Sequence, residues 1–256
     1  MGTTPLTMEL EKDGALLRLR LSRPKANIVD AAMIAALRAA LREHLPGARL
    51  RAVLLTAEGP HFSFGASVEE HLPGSAAAML RELHALIMEL VACPAPVLVT
   101  VRGQCLGGGL EVAAAGHLIF AAPGAMFGQP EIKLGVFAPA ASCLLPERIG
   151  QSRAEDLLFS GRSIGAEEAH RIGLVDVLAD DPSAAALAYF EEHLAKRSAS
   201  SLRFAVRAAR YDFVYRIRRK LAEVERLYLG ELMATHDAVE GLSAFIAKRP
   251  PVWEDR

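Results

Sequence analysis

The chain has 256 residues, with 29 Lys and Arg against 30 Asp and Glu, a formal net charge of −1. That balance lacks the basic surplus of a nucleic-acid binder, and no uncharged apolar run reaches membrane-spanning length. Hydrophobic residues make up 52% and aromatics only 6%, so the expected core is Leu, Val, Ile and Ala, in one large α/β domain or one with a helical appendage. Taken in order, Met8 to Leu21 alternates around Asp13-Gly14 and reads as a hairpin, with Leu17, Leu19 and Leu21 on one side. Ser22 to Asn27 is a polar loop carrying Arg23 and Lys25. Asp30 is a suitable N-cap for an alanine-rich helix over 31–44, with Ile34, Leu37 and Leu41 at helical spacing.

Arg51 to Ala57 reads as a strand leading into Glu58-Gly-Pro-His-Phe-Ser-Phe-Gly-Ala-Ser67. Glu69, Glu70 and His71 fit a solvated loop. Residues 75–93 form an amphipathic helix with Met79, Leu83, Leu86, Ile87 and Leu90 in one stripe. Ala95 to Val101 is a short buried strand opened by proline. It runs into Arg-Gly-Gln-Cys-Leu-Gly-Gly-Gly-Leu-Glu111, where three glycines precede helix-forming residues. A bare backbone N–H can approach a ligand closely there, and Glu111 is a carboxylate in an apolar turn that is costly to bury without a task. By itself a glycine cluster is a weak signal; a solvated glutamate at a strand–helix joint fits it as well. A second carboxylate, Glu131, follows Pro130 in Phe127-Gly-Gln-Pro-Glu131, twenty residues on.

Leu118 to Ala121 reads as another strand. Gly135-Val-Phe-Ala-Pro-Ala-Ala-Ser142 reads as a stiff apolar wall. Residues 152–160 and 166–172 are helical, with Gly173 as the second helix's cap, and 174–178 is a final strand. Asp180 to Ser183 marks an internal boundary, separating a core over 1–182 from a helical region over 183–256. That region holds helices over 184–196, 200–229 and 235–249. The basic run Arg203 to Lys220 is interrupted by Asp212 and reads as a solvated helix face. Leu221, Val224, Leu227, Tyr228 and Leu232 form an apolar stripe suited to subunit contact. Cys93, Cys105 and Cys143 form no CxxC pair and suit buried thiols in a reducing compartment. The histidines form no HExxH or Cys/His cluster, so no metal is expected. The N-terminal residues lack the basic and apolar regions of a signal peptide, so the cytoplasm is expected.

The ordered series RPK, FGAS, GQCLGGGLE, FGQPEIKLGVF, ERIG and EEAHRIGLV resembles the enoyl-CoA hydratase/isomerase (crotonase) superfamily over nearly the whole chain. Within it, FSFGASVEEHLP and LGVFAPAAS resemble the cyclohexa-1,5-diene-1-carbonyl-CoA hydratases of anaerobic aromatic (benzoyl-CoA) degradation. The resemblance implies a spiral of repeated β-β-α units with a C-terminal helical region for trimerisation, as a homotrimer or homohexamer. It implies an acyl-CoA thioester substrate, with coenzyme A part of the substrate and no separate cofactor. The backbone N–H groups of Ala66 and Gly108 would form the oxyanion hole, and Glu111 and Glu131 would be the catalytic acid and base. Arg23 and Lys25 become candidate phosphate partners, with Gly65, Ser67, Gly107 and Phe137 around the acyl group, and Phe245 and Lys248 reaching a neighbour's CoA. Phe64 stands where many relatives carry a small residue and Ser67 where they carry aspartate. The implied reaction is hydration of a conjugated cyclic dienoyl-CoA. A general short-chain enoyl-CoA hydratase, an isomerase on the same fold and a non-catalytic acyl-CoA binder are the alternatives.

Overall fold

The structure, a computed structural model, describes residues 4–256; the first three residues of the stretch read for a signal peptide lie outside the described residues. Strand β1 (Leu6–Glu11) and strand β2 (Leu16–Leu21) pair antiparallel, Glu11 against Leu16, through a tight turn in which Asp13 takes a positive φ. Parallel strands then extend the sheet: β3 (Ala52–Ala57), β4 (Val97–Val101), β6 (Leu118–Ala121) and β9 (Val177–Leu178), in the order β1-β2-β3-β4-β6-β9. A smaller sheet contains β5 (Gln104–Leu106), β7 (Met126–Gly128) and β8 (Ser163–Gly165). β4 is followed by β5, and β6 by β7, so successive turns of chain place one strand in each sheet. An isolated bridge between Ser63 and Cys105 adds the segment after β3 to the small sheet. This is a spiral of β-β-α units.

The parity of the strands explains why both faces of the large sheet are dry. Leu17, Val53, Val97 and Val99 point into the main core, while Leu16, Leu54, Leu98 and Phe120 point the other way. Helix α1 (Ala31–His44), helix α2 (Ala76–Val91) and helix α3 (Gly108–Ala115) contribute apolar side chains to the main core. On the opposite face sits helix α7 (Pro182–Tyr189), with Ala186, Phe190 and Leu194. The expected helix over 184–196 therefore starts earlier and changes character. Asp181 caps it through the N–H groups of Ser183 and Ala184, Pro182 sits in the first turn, and a wider π turn over Phe190–Leu194 seats two apolar residues on the sheet.

Asp30 caps α1 as expected, accepting from the Met33 N–H at 3.0 Å. The Glu69–His71 turn is not merely solvated, because the Glu70 carboxylate accepts from the Ala31 N–H at 3.2 Å at the same helix start. The expected strand over 174–178 shrinks to two residues. Leu174 and Val175 instead donate to the Ala169 carbonyl, finishing helix α6 (Ala166–Arg171). The stretch read as an apolar wall ends in a helix, α4 (Pro139–Ile149), with proline at its first position. Helix α5 (Gln151–Ser160) follows it.

Helix α8 (Ala199–Gly230) and helix α9 (His236–Ile246) close the chain and share the main core through Ile217, Leu221, Tyr228, Ala238 and Leu242. The region over 183–256 thus has no core of its own. Arg210, read as part of a solvated face, is held instead by the carbonyls of Val91, Ala115 and Gly116, at the ends of α2 and α3. The apolar stripe along α8 and the turn after it is also largely internal: Leu221 and Tyr228 are buried, Val224 and Leu232 pack on the core, and Leu227 alone of the five is exposed. The aromatics of α8 that face outward are Phe204, Tyr211 and Tyr215. Cys93, Cys105 and Cys143 are buried free thiols.

Candidate active site

The site forms where the segment after β3 meets the start of α3. Gly65 has φ +115 and Gly107 φ +50, conformations that L side chains rarely adopt. The two backbones touch: a methyl group placed on Gly108 would stand 3.1 Å from the Ala66 nitrogen. Among the described residues, neither the Ala66 nor the Gly108 N–H is taken up by an acceptor. Gly108 opens α3, so its N–H points out of a helix N-terminus, where partial positive charge favours an oxyanion.

Glu111 lies one turn into α3 and is 3% exposed. Its carboxylate accepts from the Ala141 N–H at 2.8 Å, in the first turn of α4. Ala140 and Ala141 therefore act through backbone as well as apolar bulk. Burial pushes the Glu111 carboxyl up to about 7, against the lowering effect of the Ala141 and Ala140 N–H groups. Glu131 sits in a 3-10 turn over Pro130–Leu134, and its carboxyl packs on the bare α-carbon of Gly107, where a methyl group would stand 2.5 Å from Oε1. The buried Gln129 amide, turned with its nitrogen toward the acid, donates to both Glu131 oxygens at 3.1 and 3.0 Å. Burial first and the charge of Glu111 second push Glu131 up to about 8. The charge of Glu111 thus reaches Glu131, and both carboxyls stay protonated to higher pH than an exposed glutamate.

The remaining expected residues lie around this centre in different states. The Arg23–Asn27 loop runs beside the Phe64–Gly65 segment: Phe64 N–H donates to the Ala26 carbonyl at 2.9 Å and Val29 N–H to the Gly65 carbonyl at 2.9 Å. Arg23 is engaged with the Asp30 carboxylate, its Nη1 at 2.7 Å from Oδ2, whereas Lys25 is exposed. Phe64 is exposed and meets the His61 ring edge-on at 4.9 Å. Ser67 Oγ donates to Glu69 at 2.9 Å. Phe137, half-buried, meets Tyr228 edge-on with ring centroids 5.3 Å apart. Phe245 and Lys248 are exposed at the end of α9, whose Gly241 lies tight on the Leu134 carbonyl of the Glu131 turn. The sequence motifs do not single out Gln129 or the Ala141 N–H, whose contacts with the two acids exist only in the fold.

A groove of about 1020 Å³ between Val91–Pro94 and the first half of α8 contains none of the expected site residues. Phe204, Tyr211 and Tyr215 line it with Arg203, Arg207 and Arg218.

Comparison with known proteins bears on the whole chain. The family model described as enoyl-CoA hydratase/isomerase matches residues 11–256. The cyclohexa-1,5-dienecarbonyl-CoA hydratase of Thauera aromatica is 70% identical over 255 residues, covering 100% of this chain and 99% of that one. A probable enoyl-CoA hydratase of Bacillus subtilis is 32% identical, over 95% of this chain and 97% of its own. Among solved structures, an enoyl-CoA hydratase/isomerase from Pseudoalteromonas atlantica superposes with a TM-score of 0.82 at 28% identity, over 97% of this chain and 99% of that one. Sequence, fold and paired acids agree: the chain belongs to the enoyl-CoA hydratase/isomerase family.

Proposed function

We propose that the chain hydrates cyclohexa-1,5-diene-1-carbonyl-CoA to 6-hydroxycyclohex-1-ene-1-carbonyl-CoA in anaerobic benzoyl-CoA degradation. The observation that carries the substrate is the 70% identity, over the full length, to the Thauera aromatica hydratase. The site supplies the two things the reaction needs. Negative charge develops on the thioester oxygen as water attacks the β-carbon, and the Ala66 and Gly108 N–H groups converge where that oxygen would lie. Removing one such donor costs about 3–4 kcal/mol of barrier.

One glutamate, ionised, accepts a proton from the attacking water as the C–O bond forms at the β-carbon. The ring then carries a dienolate whose charge reaches a more distant ring carbon. The other glutamate, protonated, delivers its proton there, which makes the reaction a 1,4-addition and balances the charge. Raised pKa values, about 7 for Glu111 and about 8 for Glu131, give one acid and one base near neutral pH. Arg23 and Lys25 flank the CoA phosphates, and Gly65, Gly107, Phe64, Ser67 and Phe137 surround the thioester and ring. Phe245 and Lys248 reach a neighbouring subunit's CoA in a homotrimer or homohexamer. The outward aromatics Phe204, Tyr211 and Tyr215 support assembly with further copies of the chain. The enzyme works in the cytoplasm; no helix among the described residues is long and apolar enough to cross a membrane.

The test is incubation with the cyclic dienoyl-CoA and, separately, crotonyl-CoA, followed by mass detection. A gain of one water on the cyclic ester is the expected result. A shifted double bond without mass gain would identify an isomerase, and neither change would identify a binder.

A further inference from the structure

Tyr228 is buried at 0% exposure in the last turn of α8, yet its hydroxyl has no hydrogen-bond partner among the described residues. Phenylalanine would give the same ring packing without stranding a polar group, so an unpaired phenol in a dry place wants an explanation. Its ring lies edge-on to Phe137, the residue that leads into α4, and the first turn of α4 is where the Ala141 N–H holds Glu111. Burial raises the phenol's pKa, and the charges of Glu131 and then Glu111 raise it further, so the hydroxyl keeps its proton. A neutral phenol can donate one hydrogen bond and accept another.

The reaction brings one oxygen atom to the neighbourhood of both carboxyls: that of water before attack, and of the ring hydroxyl afterwards. We propose that the Tyr228 hydroxyl donates a hydrogen bond to this transferred oxygen, making Tyr228 a third polar residue of the site and a recognition element for the hydroxylated ring. Tyr228 neither gains nor loses a proton in the cycle; the glutamates do both transfers. A buried donor left unpaired by a ligand lacking the oxygen discriminates against that ligand. This rests on the hydration reading above and deepens it.

The test compares wild type with Tyr228→Phe as inhibited by two CoA esters in initial-rate assays: 6-hydroxycyclohex-1-ene-1-carbonyl-CoA and the saturated, hydroxyl-free cyclohexanecarbonyl-CoA. The expected result is roughly a tenfold weaker inhibition constant for the hydroxylated ester and less than about a twofold change for the other, with kcat down by about tenfold or more. Equal weakening of both esters would make Tyr228 a packing residue and overturn the inference, as would no change for either. An independent reading uses the wild-type chain with 3-fluorotyrosine at its four tyrosines. The fluorine resonance of residue 228 should move with the hydroxylated ester and stay with the saturated one; a resonance indifferent to both overturns the inference even if Tyr228→Phe fails to fold. A wild-type enzyme that hydrates the diene alongside an indifferent Tyr228→Phe removes only this inference. A wild type that neither hydrates the diene nor binds the hydroxylated ester removes the proposed function with it.

Discussion

The two acids of the site are held by opposite kinds of structure. Glu111 stands on a helix, 3% exposed, and its carboxylate is fixed by a backbone N–H of α4 at 2.8 Å. Glu131 stands on a 3-10 turn and is positioned by a side-chain amide and by the bare α-carbon of Gly107. Backbone donors cannot swing away, whereas an amide side chain can. One acid is thus built into the fold, and the other is placed by its neighbours. Burial raises the pKa of both, and that of the second is raised further by the charge of the first.

If both acids transfer protons, replacing either is the most damaging change. Glu111→Gln and Glu131→Gln should each lower kcat by about 10²-fold or more, with KM for the CoA ester nearly kept. Near-wild-type hydration by either variant would break the pairing. Gly107→Ala should come next, because its methyl group would press on the Glu131 carboxyl and the backbone there has φ +50. A fall in kcat of about 10–100-fold is expected, since small displacements of a reacting group cost that much. The same substitution should leave Glu111 and its contact with Ala141 untouched, which a crystal structure of the variant would check.

The raised pKa values give a pH signature. One acid must be ionised and the other protonated, so log kcat/KM should rise toward a limb near pH 7 and fall beyond a limb near pH 8. A profile flat from pH 6 to 9 would deny that enclosure tunes the pair. The smallest effect is on stability. A carboxyl whose folded value is raised above its unfolded one favours the folded state at low pH, and that advantage disappears as pH rises through the folded value. For Glu111 the window runs from its ordinary 4.5 to about 7. Glu111→Gln should therefore stabilise the chain above pH 8 by on the order of 1–3 kcal/mol relative to its effect at pH 4. Thermal melts at both pH values measure it, and equal shifts at both would count against an enforced charge.

Local chemistry made much of this legible from residues alone. The α1 boundaries follow from its N-cap and apolar spacing, and the glycine run before Glu111 announces a close backbone approach. What stayed hidden depends on partners remote in sequence. Pro139-Ala-Ala-Ser142 reads equally as a stiff loop or a first helical turn, and only its docking against Glu111 decides. Arg210 looked solvated because the carbonyls that hold it come from the ends of two other helices. Tyr228 and Leu221 looked like a surface for another subunit because the core that buries them is built from elements remote in sequence, among them α2 and α4. Likewise Val175 has strand-like character but ends a helix, since the Ala169 carbonyl competes for its N–H.

The central claim is that this paired-acid site is fitted to a conjugated ring. Steady-state kinetics with cyclohexa-1,5-diene-1-carbonyl-CoA and crotonyl-CoA on the same preparation test it most directly. A kcat/KM at least about tenfold higher for the cyclic diene is expected, which requires only about 1.4 kcal/mol of differential transition-state binding. Equal or better kcat/KM on crotonyl-CoA would contradict it and leave an ordinary short-chain enoyl-CoA hydratase.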